Sequence, residues 1–197
     1  MIFDHIIKKY YMRNCIFIIA TISLLCISCK TTESLYNGNV GDWTITGGAE
    51  WSFSSDIITG QASGELGYIT TNKEYENFDL TLKFFPDETV NSGIFVNCNG
   101  NGHNPTDCYE INIWDNHANP EYKTGSIVTK AAPITNVSTV NKWNTCRIKS
   151  KNGTITAWVN GTKNAQLKGG NLGKGHIALQ AGETGSIKFQ LISIKEL

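Results

Sequence analysis

Hydrophobic and polar side chains alternate along most of the chain after Leu35. In the clearest segment, residues 77–85, phenylalanine or leucine occupies every second position, and aspartate, threonine and lysine stand between them. A period of two predicts a strand with one buried face. Short segments of this kind recur to the C-terminus between Gly, Asn, Asp and Pro, and no window outside the N-terminal region has the period of an amphipathic helix. Strands without helices predict an all-β fold, a two-sheet antiparallel β-sandwich.

Turn-forming residues indicate how the predicted strands are connected. Trp43–Ile45 and Ala49–Phe53 are predicted to form an opening hairpin across Gly47-Gly48. Asn152-Gly153 is the strongest short hairpin signal in the chain and predicts a turn between two long strands. A further strand is predicted over Gly125–Lys130.

The N-terminal 28 residues have the pattern of a signal peptide. Lysine and arginine precede an apolar segment that is too short to span a bilayer. The residues around Cys29 resemble a bacterial lipoprotein cleavage site, although Cys26 stands where leucine is usual. The resemblance implies a lipid on Cys29, a polar tether over residues 29–34 and an exported domain over residues 35–197. The protein would then be anchored by this lipid to a bacterial membrane, on its periplasmic or cell-surface side. The alternative is an ordinary secretory signal that is cut nearby.

The net charge bears on the kind of partner, and the cysteines bear on the covalent links within the fold. Residues 1–28 hold three Lys or Arg and one Asp, so the 17 basic and 17 acidic residues fall to 14 and 16, a net charge of about −2. No basic run is present, and a nucleic-acid partner is therefore not expected. Export permits disulfides. Cys98 and Cys108 flank a turn-rich loop and are predicted to pair, the alternative being two unpaired thiols, whereas Cys146 is predicted to be a small buried hydrophobe.

The strand over residues 109–115 carries the main candidate site. If Ile111 and Ile113 enter the core, Glu110, Asn112 and Trp114 share the opposite face. A carboxylate, an amide and an indole in a row are typical of a sugar-contacting surface, because the indole is a flat apolar platform and the polar groups bind hydroxyls. The alternative is a solvated face with one chance aromatic residue.

Ordered motifs along the domain resemble a known family. The motifs are Leu35-Tyr36-Asn37-Gly38 before Trp43, Tyr75-Glu76-Asn77-Phe78-Asp79-Leu80, Asn91-Ser92-Gly93-Ile94-Phe95, Tyr109-Glu110-Ile111, Asp115-Asn116-His117, Ala132-Pro133, Val159-Asn160-Gly161 and Gly175–Gln180. Together they resemble the 3-keto-disaccharide hydrolase family, which is a concanavalin-like jelly roll, over residues 35–197. The resemblance implies cleavage of the glycosidic bond of 3-keto disaccharides or 3-keto glucosides. Asn97 stands where many relatives carry arginine.

Cleavage of a 3-keto glycoside makes different demands on catalytic groups from cleavage of an ordinary glycoside, because it does not require two carboxylates. The ketone acidifies the C2 proton, so one base, one donor to the enolate oxygen and one acid for the leaving group suffice. We expect Glu110, Asp115 and His117 to share the acid and base roles, while Lys130 or Asn97 stabilises the enolate oxygen. A conventional mechanism with two carboxylates would require a β-bulge, because Asp115 faces away from Glu110 in a regular strand.

Further residues are candidates for sugar contacts or for a metal. Asn91, Trp158 and Gln180 are expected to line the groove beside Asn112 and Trp114. No cofactor is expected, although Glu110, Asp115 and His117 have a spacing that is compatible with a divalent metal. The alternative function is a non-catalytic, carbohydrate-binding jelly-roll lipoprotein, since one fold hosts many functions.

Overall fold

The computed structural model describes residues 30–100 and 102–197, so the predicted signal peptide and the predicted lipidation site at Cys29 lie outside the described residues. Within the described ranges the chain forms 13 strands and one short 3-10 helix, Pro120–Tyr122, and no helix there is long and apolar enough to cross a membrane. The strands are β1 Thr32–Ser34, β2 Trp43–Gly47, β3 Glu50–Phe53, β4 Ile57–Gln61, β5 Gly67–Thr71, β6 Phe78–Pro86, β7 Ser92–Cys98, β8 Tyr109–Ile113, β9 Asn144–Lys151, β10 Thr154–Val159, β11 Thr162–Leu167, β12 His176–Ala181 and β13 Ser186–Glu196.

The strands form two antiparallel sheets, which confirms the predicted β-sandwich. The eight-stranded sheet has the order β11-β10-β9-β6-β13-β4-β3, and β1 pairs with β13. The five-stranded sheet has the order β2-β5-β12-β7-β8. Neighbours in the sheets are often distant in the chain, as expected for a jelly roll with Greek-key connections.

The core lies between the two sheets and follows the alternation in the sequence. On β6, Phe78, Leu80, Leu82 and Phe84 are fully buried, and the residues between them are half-buried on the outer side. They join one cluster with inward residues of the five-stranded sheet, such as Ile111 on β8. Burying each large apolar side chain contributes about 1.5–3 kcal/mol, so this pattern stabilises the sandwich more than any single polar contact does.

The predicted opening hairpin across Gly47-Gly48 is wrong. β2 pairs with β5 in the five-stranded sheet, whereas β3 pairs with β4 in the other sheet. The two glycines therefore carry the chain from one layer to the next. Gly47 has a φ of +80°, and a Cβ there would overlap the carbonyl oxygen of Leu66, so the crossing requires glycine.

The other predicted connections have mixed outcomes. The Asn152-Gly153 turn joins the antiparallel pair β9 and β10, with both residues at positive φ, as predicted. Gly125–Lys130 is not a strand: Thr129 has a φ of +61°, and the backbone N–H groups of Lys130 and Ala131 both donate to Ile127 in a tight turn. Part of the expected tether belongs to the fold, because Thr32–Ser34 is β1.

The cysteines take two kinds of position. Cys98 and Cys108, the predicted pair, are joined by a disulfide that closes the loop between β7 and β8. Cys146 is a free thiol, buried in the core as predicted. The disulfide fixes the loop at one end of the five-stranded sheet, over its open face, where the candidate site lies.

Candidate functional site

The open face of the five-stranded sheet carries a hollow of about 310 Å³, called here the Glu110 hollow. Strands supply its floor and loops supply its walls, because side chains at every second strand position point away from the core. Its lining residues are Leu66, Tyr68, Asn91, Phe95, His103, Glu110, Asn112, Trp114, His117, Tyr122, Val128, Gln180 and Glu183. Six residues predicted for the site are among them: Asn91, Glu110, Asn112, Trp114, His117 and Gln180.

Glu110 is the titratable group with the most perturbed environment in this hollow. It lies on β8 with core residues on both sides, and Phe95 of β7 lies directly opposite it. Burial raises the pKa of Glu110 to about 7, because a desolvated carboxylate disfavours its charged form. Near neutral pH about half of such a group is ionised, which suits a general base.

The space for the Glu110 carboxyl depends on a glycine in the adjacent strand. A Cβ added at Gly93 would lie 2.7 Å from Oε1 of Glu110 and 3.1 Å from its Cγ. Any side chain at position 93 would therefore displace the carboxyl. The glycine of the Asn91–Phe95 motif therefore leaves the space that the Glu110 carboxyl occupies.

Loop residues after β8 form an aromatic wall beside Glu110. The His117 ring packs edge to face on Trp114 and on Tyr122, with centroids 4.4 and 5.4 Å away. Nδ1 of His117 lies 3.0 Å from both the backbone N and the carbonyl oxygen of Asn119, so Asn119 holds the ring through Nδ1 in either tautomer. His117 thus lines the hollow as a positioned ring.

The floor of the hollow holds a buried acceptor without a partner. Nε2 of Gln180 donates to the Tyr68 hydroxyl at 3.1 Å, while Oε1 of Gln180 is buried with no hydrogen-bond partner among the described residues. Such an atom costs free energy unless a ligand or water satisfies it. The pKa of Tyr68 is raised, first by burial and also by the nearby Glu110 and Glu183 carboxylates, so its hydroxyl stays protonated.

Comparison with known proteins assigns the chain to a family. A model of the 3-keto-alpha-glucoside-1,2-lyase-like domain matches residues 31–195. The chain belongs to this family. This confirms the resemblance seen in the motifs. No protein with a curated description matches the sequence.

Solved structures similar to this lyase-like domain share its fold. A candidate glycosyl hydrolase of Parabacteroides distasonis is 25% identical with a TM-score of 0.72, covering 85% of this chain and 100% of its own. A second one from the same organism is 20% identical with a TM-score of 0.72, covering 84% of this chain and 94% of its own. A carbohydrate-binding module of Bacillus subtilis is 12% identical with a TM-score of 0.63, covering 82% of this chain and 99% of its own.

Asp115 has a structural position in the lyase-like domain and does not line the Glu110 hollow. Oδ1 accepts from the hydroxyls of Thr124 and Thr139 at 2.5 and 2.7 Å, and Oδ2 accepts from the Thr139 backbone N–H at 2.6 Å. The carboxylate therefore joins two loops. The acid or base role expected for Asp115 is corrected, because its oxygens are occupied by these donors.

Three further predicted contacts lie away from the hollow. Asn97 is buried in the interior, where its Nδ2 donates to the carbonyl of Gly173 and its Oδ1 accepts from Ser150. Trp158 lies in the eight-stranded sheet under the Arg147 guanidinium. Lys130 is exposed and lines a separate shallow hollow beside Tyr122. The sugar or enolate contacts expected from these three residues are therefore corrected.

Asn112 lines the hollow, but its amide is engaged elsewhere. Nδ2 donates to the carbonyl of Tyr122, and Oδ1 accepts from the backbone N–H of Ile113. The side chain thus holds the 3-10 helix against β8 and positions Tyr122 in the wall. The predicted hydrogen bond from Asn112 to a sugar is therefore corrected: Asn112 positions Tyr122 instead.

The three residues whose spacing is compatible with a divalent metal do not form a metal site of this kind in the structure. Residues 30–100 and 102–197 contain no group of three or more His, Cys, Asp or Glu side chains placed to hold a metal ion. Among the three proposed ligands, Glu110 and His117 line the hollow, whereas the carboxylate of Asp115 binds Thr124 and Thr139.

Sequence reasoning missed several residues of the site. Tyr68, Phe95, His103, Tyr122 and Glu183 line the hollow but were not among the candidates. Alternation in β5 and β7 was sufficient to place Tyr68 and Phe95 opposite the core residues Ile69 and Ile94. His103 and Glu183 come from loops and Tyr122 from the short 3-10 helix, where no periodic signal exists.

Proposed function

We propose that this protein cleaves the glycosidic bond of 3-keto glycosides, either disaccharides or glucosides, by elimination across C1 and C2, followed by addition of water. One observation carries the proposal: a single half-buried carboxyl, Glu110, has a pKa of about 7 inside a hollow lined by hydrogen-bonding groups. Membership of the lyase-like family supports a carbohydrate-active role for this hollow.

The first step assigns Glu110 as the base. Its carboxylate removes the proton on C2, and the electron pair of that C–H bond moves to the ketone at C3 to form an enolate. The Tyr68 hydroxyl accepts from Gln180 and keeps its own hydrogen, which it donates to the enolate oxygen. Oε1 of Gln180, which has no partner among the residues that the structure describes, accepts a hydrogen bond from a sugar hydroxyl.

The second step assigns His117 as the acid. The enolate re-forms the ketone, C1 and C2 become doubly bonded, and the C1–O bond to the leaving group breaks. The departing oxygen takes a proton from Nε2 of His117, whose Nδ1 lies 3.0 Å from the backbone N of Asn119; in the tautomer in which Nδ1 accepts this hydrogen bond, the neutral ring carries its proton on Nε2. Water then adds to C1, a proton returns to C2, and the net reaction is hydrolysis. Trp114 supplies an apolar surface for the sugar ring beside His117.

A conventional glycosidase mechanism requires two carboxylates at the reacting bond. Asp115 is engaged with threonines, so the other carboxylate of the hollow is the exposed Glu183. Elimination needs Glu110 as its only carboxylate, and we therefore expect Glu110→Gln to abolish turnover and Glu183→Gln to retain it within about tenfold.

The decisive experiment follows the C2 proton. The protein is incubated in deuterated water with methyl 3-keto-glucoside and with 3-keto-trehalose, and product release and deuterium at C2 are measured. We expect deuterium at C2 of the released sugar, with wild-type protein and with Glu183→Gln. Product without deuterium at C2 would contradict elimination. Saturable binding without any product would leave the domain as a carbohydrate-binding module.

A further inference from the structure

The open face of the five-stranded sheet extends well beyond Glu110. Cross-strand pairs place Thr44, Thr70, Ala178, Phe95 and Glu110 in one row, with each of the five strands contributing one residue. Three strand spacings separate Thr70 from Glu110, which is about 14 Å. This span is longer than one pyranose ring. If one sugar ring of a ligand lies beside Glu110, the rest of the ligand therefore lies over a polar part of the same sheet face.

A second hollow, of about 430 Å³, occupies the far half of this face and is called here the threonine hollow. Its lining includes Thr44, Thr46, Thr70, Asn72 and His176. Its lining side chains include no lysine, arginine, aspartate or glutamate, so it suits a neutral polar ligand rather than an ion. The hydroxyl of Thr46 is exposed and has no hydrogen-bond partner in the part of the chain that the structure describes.

His103 forms the boundary that both hollows share. Its ring stacks on Tyr68 with centroids 4.0 Å apart and planes 10° apart, and its Nε2 lies 2.9 Å from the Thr70 hydroxyl. The loop that carries it is closed by the disulfide between Cys98 and Cys108. The ring is therefore held on the sheet at a fixed position between the two hollows.

We propose that the threonine hollow binds a second sugar ring, the leaving group of the substrate, and that His103 contacts the substrate at the junction between the two rings. This inference rests on the proposed function, because it takes the Glu110 hollow as the place of the oxidised ring. The lining includes the imidazoles of His103 and His176 and the hydroxyls of Thr44, Thr46 and Thr70. The hydroxyls of Thr44 and Thr70 contact Asn72 and His103, so Thr46 supplies the hydroxyl that is free to hydrogen-bond a neutral polyol. The preferred substrate is then a 3-keto disaccharide rather than a 3-keto glucoside with a small aglycone.

The test compares two substrates that differ only in the second ring. The value of kcat/KM is measured for 3-keto-trehalose and for methyl 3-keto-glucoside, and their ratio is the readout. We expect Thr46→Val to lower this ratio about five- to tenfold, the effect of one lost hydrogen bond. Thr145→Val is the matched control, because Thr145 lies on β9 in the eight-stranded sheet, and it should leave the ratio unchanged. An unchanged ratio in Thr46→Val would overturn the proposal.

A second measurement separates this proposal from the proposed function. If neither substrate is turned over, the proposed function fails, and the threonine hollow is tested by calorimetric binding of trehalose and of methyl glucoside. We expect trehalose to bind more tightly and Thr46→Val to remove most of that difference, while Thr145→Val retains it. Equal affinities for trehalose and methyl glucoside would rule out a second sugar site.

Discussion

Replacing Glu110 by glutamine should stabilise the folded protein at alkaline pH while abolishing its activity. The pKa of Glu110 is about 7 in the folded state against 4.5 for an ordinary glutamate. The folded state therefore keeps the proton that the unfolded state releases, and the wild type loses stability as pH rises from about 4.5 to 7. At 1.36 kcal/mol for each pKa unit, the loss has an upper limit of about 3 kcal/mol. Glutamine has no charge to desolvate, so the variant does not incur this loss.

Chemical denaturation at several pH values measures this effect. The variant and the wild type should have similar free energies of unfolding at pH 4.5, and the variant should be more stable by about 1–3 kcal/mol at pH 8.5. Glu183→Gln is the matched control, since Glu183 lines the same hollow but is exposed, and it should show no such trend. A constant difference between Glu110→Gln and wild type across this pH range would refute the reasoning that burial raises the pKa.

Three further predictions follow from the same contacts. Because Glu110 must be ionised to act as the base, kcat/KM should rise about tenfold per pH unit below pH 7 and level off above it, and a profile flat from pH 5 to 8 would argue against that role. Asp115→Ala leaves the buried N–H and hydroxyl of Thr139 without an acceptor and should lower the free energy of unfolding by about 2–4 kcal/mol in urea denaturation. Replacing Cys98 and Cys108 together by alanine should cost about 2–3 kcal/mol, because the bridge closes a loop of 10 residues, and thermal unfolding with and without reductant checks this.

The architecture was predictable because it depends on a local period. The alternation over residues 77–85 requires no knowledge of the partner strand, and the buried side that it indicates is the buried side of β6. Turn signals are less decisive. Asn152-Gly153 closes a hairpin, but Gly47-Gly48 connects two sheets, because the pairing of β2 with β5 depends on residues about 20 positions farther along the chain.

The candidate site was predictable only as far as the direction of side chains is periodic. Glu110 and Trp114 share a face for that reason and line the same hollow. Whether a polar group is free for a ligand depends on distant residues. The carboxylate of Asp115 is bound by Thr139, and the amide of Asn97 by Ser150, neither of which a pattern around position 110 can reveal.

The glycine at position 93 has a consequence for where in the pH range this protein can work. Its missing side chain leaves the space beside β7 in which the half-buried Glu110 carboxyl lies, so a neighbouring strand contributes to the acidity of the reactive group. Alanine there would displace the carboxyl, and a displacement towards water would return its acidity towards that of a free glutamate. The onset of catalysis would then move to more acidic conditions without any change among the groups that hold the sugar.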